Sequence, residues 1–308
     1  MTLRCPVCES TQCILLGPPA RRLPTLVAGV PIDISDLQQK FVRCLTCDYA
    51  FIEPCIPEAR LLDCYHRSSG HHWSTDDSVA SSRFYDRKRA ILLKHLNSGK
   101  RVLDFGCYDG GFLAYLGEGF DRYGIEPSDS AAQRAGQCGV KIIGPTIEAI
   151  RPGSVEPFDG IVSFDVMEHL PQPVPVLRSL RSLLKPGGIL MIETGNYNAP
   201  RFRKLGPLYY YASIVEHVGF FDQQSIEEAG RRAGLRVVHF EKSVHSGGPN
   251  RPWLERFING VYWTLRGLRK MHVPLPARWS RIASGAAPRR VDLQDHFIAV
   301  LQRTAEPV

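Results

Sequence analysis

Two carboxylates flanking a glycine turn, four paired cysteines and two carboxylate–imidazole dipeptides are the residues here whose types and spacing could do chemistry. Asp104 stands two positions before Gly106, Gly110 follows, and Glu126 lies 22 residues after Asp104. The glycines let the backbone turn sharply and approach a ligand, and a carboxylate at the position of Glu126 can accept both hydroxyls of a ribose. Cys5-Pro-Val-Cys8 and Cys44-Leu-Thr-Cys47 are C-x-x-C pairs, each short enough for both thiolates to grip one ion. Together they complete a tetrahedral sulfur site whose four protein ligands leave no position for catalysis. Glu168-His169 and Glu216-His217 each set a carboxylate beside an imidazole, residue types that move or orient protons near neutral pH; Glu216-His217 is the candidate for that chemistry, and Glu168-His169 is expected to brace its turn.

The elements that must position these groups follow from the apolar pattern. Val102 and Leu103 end a strand, a helix runs from about Gly111 to Leu116 with its first N–H groups aimed at the glycine turn, and a second strand leads into Glu126. This is a nucleoside-binding βαβ unit. A dinucleotide-binding G-x-G-x-x-G needs glycine where Tyr108 stands, so pyrophosphate could not press against the turn and nicotinamide is disfavoured. Upstream, Phe84, Ile91, Leu92 and Leu96 recur at helical spacing from about Ser82 to Leu96, and Tyr85 on that helix either packs or reaches toward the ligand. Downstream, a helix is expected over Gln224 to Ala233 and a last strand over Gln294 to Gln302, which makes residues of about 241–293 an insertion.

Asp104-x-Gly106-x-x-x-Gly110 followed by Glu126 resembles the cofactor signature of class I S-adenosylmethionine-dependent methyltransferases. Phe158-Asp-Gly-Ile-Val-Ser-Phe-Asp165 resembles the family's fourth strand, Val166-Met-Glu-His-Leu-Pro171 its following turn, and Leu183-Leu-Lys-Pro-Gly-Gly-Ile-Leu-Met-Ile-Glu193 its next helix end, turn and fifth strand. These matches run in order over roughly residues 85 to 240. The resemblance implies an α/β, Rossmann-like core with a doubly wound, mostly parallel seven-stranded sheet. It implies S-adenosyl-L-methionine as cofactor, held by Asp104, Gly106, Cys107, Gly110 and Glu126, with Ile147 and Asp165 completing the adenine and methionine ends by family position. Tyr108 departs from the family, which often has a second glycine there.

Residues 1–64 read as a separate zinc-binding module, ribbon-like, with structural Zn2+ on Cys5, Cys8, Cys44 and Cys47. The 35 residues between the pairs suit a hairpin excursion, and Cys13, Cys55 and Cys64 lack paired spacing. Thiol redox chemistry is disfavoured because neither pair sits at a thioredoxin-like strand-to-helix junction. A four-cysteine module ahead of a methyltransferase core is similar to the bacterial enzymes that C-methylate nucleotide-linked keto-deoxysugars, and to relatives in glycan and natural-product clusters. Those enzymes carry Tyr-x-Glu-His-x-x-x-Phe, which matches here at Glu216, His217 and Phe221 but has Ile214 in place of the tyrosine. The match implies His217 as a general base or orienting group, with Glu216 fixing its ring. These enzymes also continue through a large second α/β domain, whereas this chain has about 70 residues beyond Phe240.

Between the two parts, residues 65–82 form a polar loop or lid containing His71 and His72, ahead of a methyltransferase domain over 83–308. The chain of 308 residues is 44% hydrophobic, enough to fill a core. It shows no apolar run near the roughly 20 residues that span a bilayer and no signal-like N-terminus. A cytoplasmic protein with its nine cysteines reduced is expected. The net charge of +7 disperses over helices and the last third, which favours a small acceptor, anionic or nucleotide-linked, over RNA or protein. Within the insertion, Trp253, Leu254, Phe257, Ile258, Val261, Tyr262, Leu265 and Leu268 form one helical stripe with Arg256, Arg266, Arg269 and Lys270 outside it. Packing of that stripe or formation of a pocket is expected ahead of contact with a membrane surface.

Overall fold

A computed structural model describes residues 3–21, 24–68, 78–97, 99–151, 153–244, 252–284 and 294–304. The N-terminal part contains β1 (Cys13–Gly17), β2 (Leu26–Val27), β3 (Val30–Pro31), β4 (Lys40–Cys44), β5 (Ala50–Glu53) and α1 (Glu58–Arg67), and α2 (Ser78–His95) leads into the rest. There follow β6 (Arg101–Phe105), α3 (Gly111–Leu116), β7 (Asp121–Ile125), α4 (Asp129–Gln137), β8 (Lys141–Gly144), β9 (Phe158–Phe164), α5 (Pro173–Ser182) and β10 (Leu184–Gly195). The chain ends with α6 (Pro200–Leu205), β11 (Gly219–Phe220), α7 (Gln223–Arg232), β12 (Leu235–Ser243), α8 (Pro252–Lys270), α9 (Ala277–Ser284) and β13 (His296–Arg303).

The seven-stranded sheet has the order β12-β13-β10-β9-β6-β7-β8, with β13 antiparallel to both of its neighbours. The β10–β9, β9–β6, β6–β7 and β7–β8 pairs are parallel. Parallel strands covered on both faces must be apolar throughout, and Val102, Leu103, Ile161, Val162 and Ile189 to Ile192 are all buried. Ile91 and Leu92 of α2, with Leu96 just after it, cover one face. The strand order reverses between β6 and β9, so a crevice opens where the loops leave their carboxyl ends.

A second sheet has the order β1-β4-β5-β11. Its last strand comes from the far half of the chain: Gly219 pairs with Phe51 and Phe220 with Ala50. Phe220 also stacks on Phe41 at 5.1 Å, and one apolar cluster runs from Cys5, Val42 and Phe51 to Leu103 and Ile161. The N-terminal residues, read from sequence as a separate unit, thus share a sheet edge and a core with the larger part.

β12 runs to Ser243 before the two-helix excursion begins, and the final strand falls two residues later than expected. In the excursion, Tyr262 is buried and Val261, Thr264 and Leu265 border a cavity of about 410 Å3 against Trp279 of α9. Phe257 and Ile258, expected within the packed stripe, are 66% and 44% exposed. Among the described residues α9 packs against α8 and leaves these two side chains uncovered. The side chains of Phe84, Trp253, Leu254 and Arg256, and all of His71 and His72, lie outside the described residues.

Candidate active site

The glycine turn is fastened to the neighbouring strand before any ligand arrives. The N–H groups of Gly106 and Cys107 donate to the Ile125 carbonyl at 2.9 and 3.1 Å, which brings Asp104 and Glu126 to the same end of the sheet. Gly106 has φ +82°, and a Cβ there would stand 2.4 Å from Val166 Cγ2, so only glycine fits. Gly110, also left-handed, caps α3. Tyr108 adopts φ +50°, a conformation more natural to glycine; its N–H donates to Glu126 Oε2 at 2.9 Å and its ring lies under Arg134.

Asp104 is 3% exposed, and its Oδ1 has no hydrogen-bond partner. Burial pushes this carboxyl up to about 7, against the opposing influence of Lys88. Glu126 is also raised by burial, while the N–H groups of Ser128 and Tyr108 hold its two oxygens. Tyr85 lies in the same region: burial and the nearby charges of Asp109, Asp104 and Asp165 push its phenol up to about 12. Cys107 and Ile147 are buried at the rim. Asp165, at φ +54°, donates its N–H to the Glu193 carbonyl and places Oδ1 3.6 Å from His296 Nε2.

Two features escaped sequence reasoning. Lys88 and Glu193 form an ion pair at 2.5 Å, with side chains 2% and 4% exposed, and the Lys88 ammonium sits over the Phe164 ring. The available signal was a lysine three and four residues before Ile91 and Leu92, on the buried face of its helix. His296 is buried between Asp165 and Asp295; burial lowers its pKa, but the Asp295 hydrogen bond and the Asp165 charge outweigh this and leave it raised.

A second cluster of buried polar side chains forms around the short 3₁₀ turn Met167–His169 that follows β9. Glu168 is 1% exposed and accepts from Thr194 Oγ1 at 2.7 Å and Tyr211 Oη at 2.5 Å. Burial, then the Asp165 charge, pushes it up to about 7. Tyr211 reaches this position only because residue 195 is glycine: a Cβ there would fall 2.2 Å from its ring. The loop carrying His217 is stitched onto the turn by Val218 N–H donating to the Glu168 carbonyl at 2.8 Å.

Glu216 and His217 diverge. His217 Nδ1 lies 3.0 Å from the Tyr211 carbonyl, which fixes that nitrogen as the donor and puts the lone pair on Nε2. Glu216 instead accepts from Ala28 N–H at 2.5 Å and sets Oε2 3.6 Å from His169 Nδ1. The expectation that Glu216 orients His217 is thereby corrected: a backbone carbonyl does so, and Glu216 faces His169. The two imidazoles meet edge to face at 4.9 Å, and burial lowers the pKa of His169.

The N-terminal part supplies several neighbours of this cluster. Besides Ala28, Arg21 donates to the carbonyls of Ala212 and Ile214 at 3.0 and 3.1 Å, and Tyr65 Oη lies 3.4 Å from His169 Nδ1. At its far side the four cysteines converge, all buried, with every Sγ within 4.8 Å of the others. Glu9 and Asp48, each following the second cysteine of a pair, take left-handed φ of 61° and 65° and turn the chain back around the sulfurs. Burial pushes the Cys8 thiol up to about 11, whereas the Cys47 hydrogen bond lowers the Cys5 thiol to about 6. Cys13, Cys55 and Cys64 stay outside the set.

A family profile described as a methyltransferase domain matches residues 79–240. The chain belongs to this methyltransferase family. Among curated relatives, it is 36% identical over 112 residues to a ubiquinone biosynthesis O-methyltransferase of Vibrio cholerae, covering 34% of this chain and 45% of the relative. The counterpart in Vibrio vulnificus is 37% identical over 109 residues, covering 32% and 46%. The match thus spans under half of each relative. Among solved structures, the S-adenosylhomocysteine complex of magnesium protoporphyrin IX methyltransferase from Synechocystis superposes with TM-score 0.51 at 13% identity, covering 80% of this chain and 100% of that one. The YcgJ protein of Bacillus subtilis superposes with TM-score 0.50 at 13% identity, covering 72% and 99%. At such identity these likenesses speak for the fold.

Proposed function

We propose that this methyltransferase-family chain transfers a methyl group from S-adenosylmethionine to a small-molecule acceptor, a sugar-related compound or secondary metabolite. The observation that carries the reading is Asp104: a buried carboxylate oxygen without a partner, at the switch point of the sheet, suits a cationic sulfonium ligand bearing an amine. Glu126 beside it suits the ribose, and Gly106, Cys107, Gly110 and Ile147 shape the remaining wall. The cofactor supplies an activated methyl carbon on sulfur; the chain holds the acceptor collinear with it and excludes water. His217, with its Nε2 lone pair fixed by the Tyr211 carbonyl, addresses the reacting group of the acceptor. Glu168, His169 and Asp165 surround that position.

The four cysteines hold one structural zinc in this reading, and residues 1–64 act as a module whose Arg21, Ala28 and Tyr65 border the acceptor pocket. The acceptor class is supported by the Glu216-His217 pattern and the four-cysteine module; Ile214 speaks against keto-sugar C-methylation in particular. Transfer of tritiated methyl to a metabolite extract, an RNA pool and a protein pool tests the proposal. Label confined to small molecules is expected. Label in RNA or protein alone would redirect it, and no label anywhere would leave a cofactor-binding module.

A further inference from the structure

Glu168, His169 and His217 converge more tightly than acceptor orientation alone requires. One ligand-type atom from each lies within 4.8 Å of the other two. Each is held from behind. Glu168 is positioned by the hydroxyls of Thr194 and Tyr211, His217 by the Tyr211 carbonyl on Nδ1, and His169 has Nδ1 facing Tyr65 and Glu216. Such backing by carbonyls, carboxylates and hydroxyls is how imidazole and carboxylate metal ligands are oriented.

The charge balance provides a separate argument. Glu168 and Glu216 are 1% and 3% exposed. Among the described residues neither Glu168 nor Glu216 pairs with a lysine or arginine; the one ion-pair contact of the two is Glu216 with His169 at 3.6 Å. Glu216 Oε2 accepts no hydrogen bond. Clustered buried carboxylates without a cation are costly, and a divalent ion removes that cost.

We propose that Glu168, His169 and His217 bind one divalent first-row transition-metal ion, with Glu216 and Tyr211 as its outer support. Two imidazoles and one carboxylate form a set suited to zinc, iron or cobalt that leaves coordination positions open, unlike the closed four-cysteine group. Bonds of about 2.0–2.2 Å require the three atoms to draw together by roughly an ångström. His169, with its side chain 17% exposed, gives the cluster its opening. Two neighbouring acceptor oxygens, a hydroxyl beside a keto group or a second hydroxyl, fill the open positions. His217 then acts on the acceptor through the ion. The nature of this acceptor rests on the function proposed above; the ion site does not.

Full-length protein carrying one zinc per chain in the four-cysteine group, freed of further metal by dialysis against a mild chelator and saturated with S-adenosylhomocysteine, is titrated with Co2+ and followed by its visible ligand-field spectrum. The expected result is one further cobalt per chain with nitrogen and oxygen ligands and no thiolate charge-transfer band. Its affinity should fall at least about tenfold in His169→Gln, His217→Gln and Glu168→Gln, with retained S-adenosylhomocysteine binding showing that each variant is folded. Absence of such a spectrum in the unmodified protein, or unchanged affinity in all three variants, overturns the site. No acceptor is present, so a cobalt site in a protein that methylates nothing would sink the functional reading and leave this inference standing.

Discussion

The proposed cofactor site and the proposed acceptor site both follow the carboxyl ends of strands of the large sheet and are built in opposite ways. Asp104, Gly106, Cys107, Gly110 and Glu126 belong to one strand-turn-helix-strand segment, and two hydrogen bonds to the Ile125 carbonyl close it. The proposed acceptor site draws on Arg21 and Ala28, Tyr65, Glu168 and His169, Thr194 and Gly195, and Tyr211 to His217, residues up to 193 apart in sequence that meet through side-chain contacts to backbone and to other side chains. A local site survives wherever its own supersecondary unit is intact. An assembled one depends on every part that walls it.

The strongest test of that contrast is removal of the proposed zinc. Apparent binding energies of structural zinc run to about 10–16 kcal/mol, so Cys44→Ser with Cys47→Ser should take metal content from near one per chain to none and unfold the four-stranded sheet. Methyl transfer should vanish while S-adenosylhomocysteine binding, measured by calorimetry, persists. Equal loss of both would erase the distinction between the pockets.

Next in size, His217→Gln should lower turnover by about 10²–10⁴-fold, the range for a group that activates the reacting centre, with cofactor affinity unchanged. Full turnover in this variant would remove His217 from the mechanism.

Asp104 sharpens the cofactor side. Its folded pKa of about 7 stands above the ordinary 3.8, so the stability it contributes is fully present below the ordinary value and is lost as pH rises through 7. Asp104→Asn escapes that loss and should gain up to about 4 kcal/mol over the parent at pH 8 and little at pH 4, while binding S-adenosylmethionine more weakly. Denaturant titrations at the two pH values check the sign. The smallest effect is expected for Glu126→Ala. Each charge-assisted bond lost to the ribose costs about 1.5–3 kcal/mol, read by calorimetry, with methyl transfer at saturating cofactor retained.

The same contrast explains what was legible in the sequence. Glycines at fixed offsets from a carboxylate, and cysteines in adjacent pairs, encode local geometry, so spacing alone conveyed the cofactor turn and the sulfur cluster. The extents of α3, α7 and α8 followed from periodicity to within a residue or two. Partners set by long-range packing did not follow. Nothing local distinguishes Glu216 facing His169 from Glu216 facing His217, because adjacent side chains on an irregular loop diverge by backbone angles no pattern records. The Lys88–Glu193 pair joins a helix to a strand 105 residues away and was hidden for that reason. Periodicity marked Phe257 and Ile258 as one face of α8 but could not say whether anything lay opposite.

The two-residue pairing of β11 with β5 bears on how new acceptor specificities arise in such enzymes. An exchange of N-terminal modules cut near residue 64 would present a foreign β5 to the resident Gly219 and Phe220, with the Phe41–Phe220 stack mismatched and the His217 loop pulled from its anchor. Recombination that alters specificity without loss of folding must carry the loop of residues 206–222 together with the cysteine module, two separate stretches of the gene inherited as one unit.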